Sequence, residues 1–304
     1  MTWTSTPFTF ICPDTGQPLK TLDAERQIRA DGFVYHRVDG IWRFMLPGRE
    51  EDLAQFMQEY ETVRRAEGRG SLDAAWYRAL PYTDLSGTME DAWRIRALSF
   101  DALVEKVLQG IPIGGRVLDM GSGNGWLAGR LATLGYAVAA VDLSTDRLDG
   151  LGAYVHYQKP FVPIQAEFER LPLATGEWDL VIFNASLHYS TDYETTLRES
   201  LRVLKPDGIL IAMDTPIYRQ HASGEQMVAE REDIFRSQYG FASNSLPNEN
   251  FLTWKRWDSL MTDLGLTSVK IRPNYSLKWQ LRPLKAKLRG RREPATFCLL
   301  KAER

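Results

Sequence analysis

The stretch "VLDMGSGNGWLAGRLA", beginning at Val117, places three glycines within five residues, directly after an apolar run that carries an aspartate. An apolar strand, a bare turn and a helical pattern, in that order, constrain the fold more than any other feature of the chain. In an open parallel sheet a ligand sits beyond the carboxyl ends of the strands, and a glycine turn there lets its atoms approach backbone N–H groups. Gly121, Gly123 and Gly125 occupy that turn. From Arg116 onward the same order recurs, with short apolar strand candidates alternating with helical patterns, which argues for a wound sheet covered on both faces. The candidates are 116–120, 137–143, 161–168, 178–185, 208–214, 267–273 and 295–303. "KPDG" at 205–208 reads as a turn.

Two nucleotide readings are excluded by spacing. A dinucleotide fingerprint needs a third glycine for close helix–strand packing, and that position holds Trp126. No G-x-x-x-x-G-K-[ST] is present for a nucleoside triphosphate. Asp142, however, ends the second strand 21 residues after Gly121, where a carboxylate can accept both hydroxyls of a ribose. A strand-terminal aspartate more often caps a helix, and "DLSTD" suits that use. Glycine turn and aspartate together imply an adenosine ligand.

Residues from about 111 to 304 resemble the class I S-adenosylmethionine-dependent methyltransferases, through "VLDMGSGNG", "VDLS", "AEFERLPLATGEWDLVIFNASLHYS" and "LRVLKPDGILI". The resemblance implies an α/β, Rossmann-like, seven-stranded and mostly parallel sheet whose last strand is antiparallel, and S-adenosylmethionine as cofactor. It implies that Asp119 lies by the methionyl amino group with Gly121, Ser122, Gly123, Asn124, Gly125 and Trp126 around it, and that Asp142 and Leu143 meet the ribose. Glu167 takes the adenine amino group, one methylene longer than the usual aspartate, with Phe168 lining the ring. Asn184 and Leu187 line the cofactor.

His188 in "NASLHYS" is the candidate base. It follows the fourth strand, where the methyl group should emerge, and an ordinary imidazole pKa of about 6.5 suits proton acceptance at neutral pH. The plain alternative is that it closes the pocket or caps the next helix. The reaction implied is methyl transfer to an oxygen or nitrogen of a small molecule (a metabolite, lipid precursor or glycan). A tRNA or rRNA methyltransferase is the alternative, and a non-catalytic cofactor-binding protein a third reading. A net charge of −2 gives no general attraction to nucleic acid or to anionic membranes.

Two insertions interrupt the domain, at about 215–250 and 274–294. The first carries a helical pattern from Gly224 to Gln238, with Tyr218, Arg219, His221 and Tyr239 as candidates to face substrate. The second interleaves leucines with lysines and arginines, a pattern that can contact an anionic membrane weakly or meet a phosphate-bearing substrate. Pro283 interrupts its helical period, and solvated charge is the ordinary explanation.

Ahead of the domain, residues 47–110 read as a helical linker, which in related enzymes folds over the cofactor and would bring Tyr77, Tyr82, Trp93 or Arg94 near it. Residues 1–46 form a small β-rich appendage resembling a degenerate zinc ribbon. Its knuckle positions hold Cys12, Thr15, Ile28 and Asp31, a set that cannot make a tetrahedral thiolate site, so no metal is expected. Phe8, Phe10, Val34, Trp42 and Phe44 are expected to hold the remnant together. "MTWTSTPFTF" lacks the basic start and apolar core of a signal peptide, no run of about 18 apolar residues exists, and two cysteines are too few for a disulfide framework. A cytoplasmic enzyme with no transmembrane segment is expected; no oligomeric state is implied.

Overall fold

A computed structural model describes residues 7–304; the start of the amino-terminal stretch read above, residues 1–6, lies outside the described residues. Four short strands come first: β1 Lys20–Asp23, β2 Arg26–Ile28, β3 Val34–Val38 and β4 Ile41–Arg43. Three helices follow, α1 Arg49–Ala66, α2 Ala74–Ala79 and α3 Glu90–Lys106. The alternating part then runs β5 Arg116–Met120, α4 Trp126–Thr133, β6 Ala137–Asp142, β7 Val162–Gln165, β8 Trp178–Asn184, α5 Tyr193–Val203 and β9 Leu204–Met213. The remainder is β10 Ile217–Tyr218, α6 His221–Tyr239, β11 Leu252–Thr253, α7 Trp254–Leu264, β12 Thr267–Ile271, α8 Leu277–Gln280, α9 Arg282–Leu288 and β13 Leu299–Glu303.

The seven expected strands are present as β7-β6-β5-β8-β9-β13-β12, parallel from β7 to β9, with β13 antiparallel to both β9 and β12. Side chains along β8 show why helices cover both faces. Leu180 and Ile182 join the cluster built with α3 and α4, whereas Val181 and Phe183 join the one built with α5 and α7. A strand alternates its side chains, so an unbroken apolar run buries two faces at once. Order reverses between β6 and β8 on either side of β5, which makes the carboxyl end of β5 the topological switch point.

Two expectations are corrected here. The amino-terminal strands do not stand apart as a ribbon: β4 pairs in parallel with β7, Trp42 opposite Ile164, and extends the sheet to eleven strands. Phe8, Phe10, Trp42 and Phe44 are buried in the same cluster as Leu118 and Phe183, while Val34 is only half-buried. The apolar edge of β7 needed a partner, and this segment supplies it. Cys12 faces the Tyr35 hydroxyl at 3.7 Å, Asp31 pairs with Arg29, and among the described residues no three His, Cys, Asp or Glu side chains gather to hold a metal. Second, "KPDG" lies inside β9 as a bulge, because Trp178 pairs with Leu204 but Leu180 already pairs with Ile209.

The first insertion holds α6, longer at both ends than the expected helix, beside the small parallel pair of Ile217 with Leu252. Among the described residues no helix is long and apolar enough to cross a membrane.

Candidate active site

A cavity of about 410 Å³ opens over the carboxyl ends of β5, β6, β8 and β9, within the size range of small-molecule sites, about 300–1,000 Å³. Its floor is the switch point. Gly121 has φ +70, and a Cβ there would lie 2.4 Å from Ser186 Cβ, so the turn tolerates no side chain on two counts. Asp142 spans the loop: Oδ2 accepts from the Gly123 N–H at 2.8 Å and Oδ1 from the Ser144 N–H at 2.9 Å. Burial raises its pKa against those two N–H groups. Asp119 lies beneath the glycine turn, on the α4 side of β5. Burial, with Asp142 adding to it, pushes the Asp119 pKa up to about 8, the Ala128 N–H acting weakly the other way.

The floor is also strained and under-satisfied. Ala185 and Asp214, at the ends of neighbouring β8 and β9, are non-glycine residues at φ 54 and φ 56. Such left-handed positions collect at ligand sites because the surrounding structure must enforce them. Asp214 Oδ1 accepts from Ser99 Oγ at 2.6 Å, while burial raises its pKa. Asp214 Oδ2, Ser122 Oγ, Asn184 Oδ1 and His188 Nδ1 are buried without a hydrogen-bond partner among the described residues. All four residues border the cavity. Buried polar atoms are nearly always paired, so this concentration marks groups that await a polar ligand.

The roof comes from α1 and α3. Arg49, Leu53, Phe56, Tyr60 and Arg64 face the cavity from α1, at the three- and four-residue spacing of one helix face. Arg49 grips Glu167, Nε lying 3.1 Å from both carboxylate oxygens and a second nitrogen 2.5 Å from Oε1. That grip raises the Arg49 pKa despite burial. Arg64 pairs with Asp149 and lies 5.2 Å over the Tyr60 ring. From α3, Trp93 and Arg96 enter, the guanidinium 5.0 Å over the indole. Among the described residues Arg96 hydrogen-bonds only the Ala92 carbonyl, at 3.3 Å, and burial lowers its pKa to about 10.

The structure gathers Gly121, Ser122, Gly123, Asn124, Trp126, Asp142, Leu143, Glu167, Phe168, Asn184 and His188 around one cavity. Asp119, Gly125 and Leu187 are adjacent but do not line it: Asp119 is under the turn, Gly125 caps α4 against the Phe161 ring, and Leu187 is packed in the core. His188 lines the wall on a single 3-10 turn, its ring 4.5 Å from Tyr189. Its environment differs from the expected one, since burial, with Arg231 adding to it, lowers its pKa to about 3. Of the linker candidates only Trp93 reaches the cavity. Tyr77 stacks on His156 at 4.4 Å, Tyr82 lies under Arg130, and Arg94 is exposed beside Asp91. Neither Tyr218, Arg219, His221 nor Tyr239 lines it; the first insertion contributes Pro216 and Leu246 instead.

Sequence reasoning missed the arginine roof, Tyr60, Asp149 and Asp214. The α1 face was readable as a series of three- and four-residue steps from Arg49 through Leu53, Phe56 and Tyr60 to Arg64, whereas Arg96 carries no local mark. Asp214 follows an apolar strand as Asp142 does, a signal open to the same argument.

Residues 118–212 match the family described as "Methyltransferase domain". The chain is 31% identical over 116 residues to the candidate methyltransferase YqeM of Bacillus subtilis (strain 168), covering 37% of this chain and 47% of the relative. It is 32% identical over 140 residues to the ubiquinone/menaquinone biosynthesis C-methyltransferase UbiE of Pseudomonas savastanoi pv. phaseolicola, covering 43% and 50%. The chain thus spans about half the length of the curated relatives it matches. In fold it is similar to the crystal structure of a candidate sarcosine dimethylglycine methyltransferase from Galdieria sulphuraria, with a TM-score of 0.51 at 15% identity over 81% of this chain and 97% of that one. Residues 118–212 are therefore similar to a methyltransferase domain, and the chain has the α/β, Rossmann-like fold of such enzymes.

Proposed function

We propose that the chain binds S-adenosylmethionine in the cavity over β5 and transfers its methyl group to an oxygen or nitrogen of a small molecule. The observation that carries the reading is the set of orphaned polar atoms around that cavity, together with an aspartate pinned to the glycine turn. Small-molecule acceptor groups accord with the activities named for relatives, among them a malonyl-[acyl-carrier protein] O-methyltransferase of Legionella pneumophila. Two buried free cysteines accord with a reducing, cytoplasmic setting.

When bound, S-adenosylmethionine supplies a methyl group on positively charged sulfur. The residues fit it as follows. Asp142 is placed to exchange its loop N–H partners for ribose hydroxyls, and Phe168, 5.6 Å edge-on from Phe183, to wall the adenine. Glu167 stays within reach of the adenine amino group, because a carboxylate gripped by one guanidinium keeps further lone pairs. In this reading Asn184, with the Asp119 carboxyl beneath the turn, serves the amino group, and Arg96, a half-buried cation that forms no salt bridge among the described residues, serves the carboxylate of the amino-acid moiety. In-line displacement needs mainly positioning. His188 is neutral at pH 7, and an attacking hydroxyl becomes strongly acidic as its oxygen bonds the methyl carbon and the carbon–sulfur bond breaks, so a weak base suffices for late proton transfer.

Titration calorimetry with S-adenosylhomocysteine and with NAD tests the assignment. Binding of S-adenosylhomocysteine alone is expected; NAD binding of similar affinity would overturn it.

A further inference from the structure

The methyltransferase reading leaves the second insertion unused. In α8 and α9, Leu277, Leu281, Leu284 and Leu288 are 76%, 57%, 56% and 79% exposed. Pro283 does not break the phase as its sequence position suggested. It occupies the first turn of α9, where no N–H is required, and the Leu281 N–H to Leu277 carbonyl and Lys285 N–H to Leu281 carbonyl bonds, both 3.0 Å, carry the helical path across the junction. At about 100° per residue the four leucines fall within an arc of about 60°. Trp279 and Ala286 lie on the opposite side and turn inward; Trp279 packs on Tyr275 at 5.2 Å and Phe297 at 6.1 Å. The stripe therefore points straight away from the body of the protein.

Charge says what covers it. Seven lysines and arginines and no acidic residue lie between Leu277 and Arg292. Lys278, Lys285, Lys287, Arg289 and Arg291 are exposed and none forms a salt bridge among the described residues. Lys278, Lys285 and Arg289 flank the stripe on one side and Lys287 on the other, from which long stems can reach past apolar surface to anionic head groups. A second copy of this surface would bring like charges together across the interface. RNA would leave the outermost groups, the leucines, without a use.

We propose that α8 and α9 form an interfacial helix that docks the protein on an anionic lipid bilayer, leucines in the head-group boundary and lysines around them. The helix is rooted at the cavity. Phe297 lines it, and the Tyr275 hydroxyl lies 3.5 Å from Ser99 Oγ, which donates to Asp214. Docking thus holds a wall of the cavity one packed side chain, Trp279 on Phe297, from the membrane-bound helix, whether or not the methyltransferase reading holds.

Co-sedimentation with phosphatidylglycerol–phosphatidylcholine vesicles, against phosphatidylcholine alone, tests this with the full chain. Binding to the anionic vesicles only is expected, weakening with salt. The exposed-site double variant Leu284→Gln/Leu288→Gln should weaken it by at least about tenfold, and Lys285→Glu/Lys287→Glu by a similar factor. Both variants should keep the wild-type circular dichroism melt and S-adenosylhomocysteine affinity, which separates failure here from failure of the cofactor reading. No binding to anionic vesicles, binding indifferent to the leucines, a leucine-dependent dimer in sedimentation velocity, or RNA binding abolished by the lysine variant alone would each overturn the proposal.

Discussion

Floor and roof of the cavity are built from opposite materials. The floor is strand ends and turns bearing Asp142, Asp214 and Glu167, with Asp119 beneath; the roof is helix bearing Arg49, Arg64 and Arg96. Two ion pairs, Arg49 with Glu167 and Arg64 with Asp149, join one to the other. Arg96 and the orphaned floor oxygens are what this pairing leaves over. On the proposed reading, the difference teaches that the floor would select the ligand, while the roof covers the cavity and would supply the remaining charge.

The sharpest way to break this division is at Asp142. Alanine there removes two charge-assisted hydrogen bonds, each worth about 1.5–3 kcal/mol, so S-adenosylhomocysteine affinity should fall by about 100-fold or more in calorimetry. Unchanged affinity would move the ligand off the floor.

His188 sits on the floor's rim and tests catalysis rather than binding. His188→Ala should lower kcat by about 10²-fold with cofactor affinity within a few-fold; a raised KM with kcat retained would make it a wall. Its folded pKa of about 3 lies below an unfolded value of about 6.5, so the unfolded state binds the proton first and stability falls as pH drops from about 6.5 towards 3. Turnover should show no loss near pH 6.5 from this group, and urea melts of His188→Leu should lose less stability over that window than wild type.

On the roof, Arg96→Leu should weaken S-adenosylhomocysteine by about tenfold and leave 5′-methylthioadenosine, which lacks the carboxylate, unaffected. Equal losses for both would assign Arg96 to packing. Arg49→Ala is expected to be mildest, a few-fold in cofactor affinity, because Arg49 is 36% exposed and its pair is partly screened by solvent. A loss as large as that of Asp142→Ala would show that roof and floor are one unit.

The β5–β9 region was legible because its signals are local. A short unbroken apolar run writes a strand such as "WDLVIFNA", and the glycine at 121 writes a tight turn. The last residues of parallel strands share one edge, so Asp142 and His188 could be placed from order alone. The edge strand β4 was not legible, since nothing in "GIWRFM" says that its partner is Ile164, more than a hundred residues away.

By itself the sequence determined the seven-stranded part of the sheet, its glycine turn and the acids Asp119, Asp142 and Glu167, each marked by neighbours a few residues apart. Only the tertiary structure decided which cations meet those acids, that Glu167 is held by Arg49, that burial holds His188 neutral, and that the leucines of α8 and α9 point outward. Burial and charge pairing depend on how distant helices settle on the sheet, and a side chain's partner across that gap leaves no period in the chain to read.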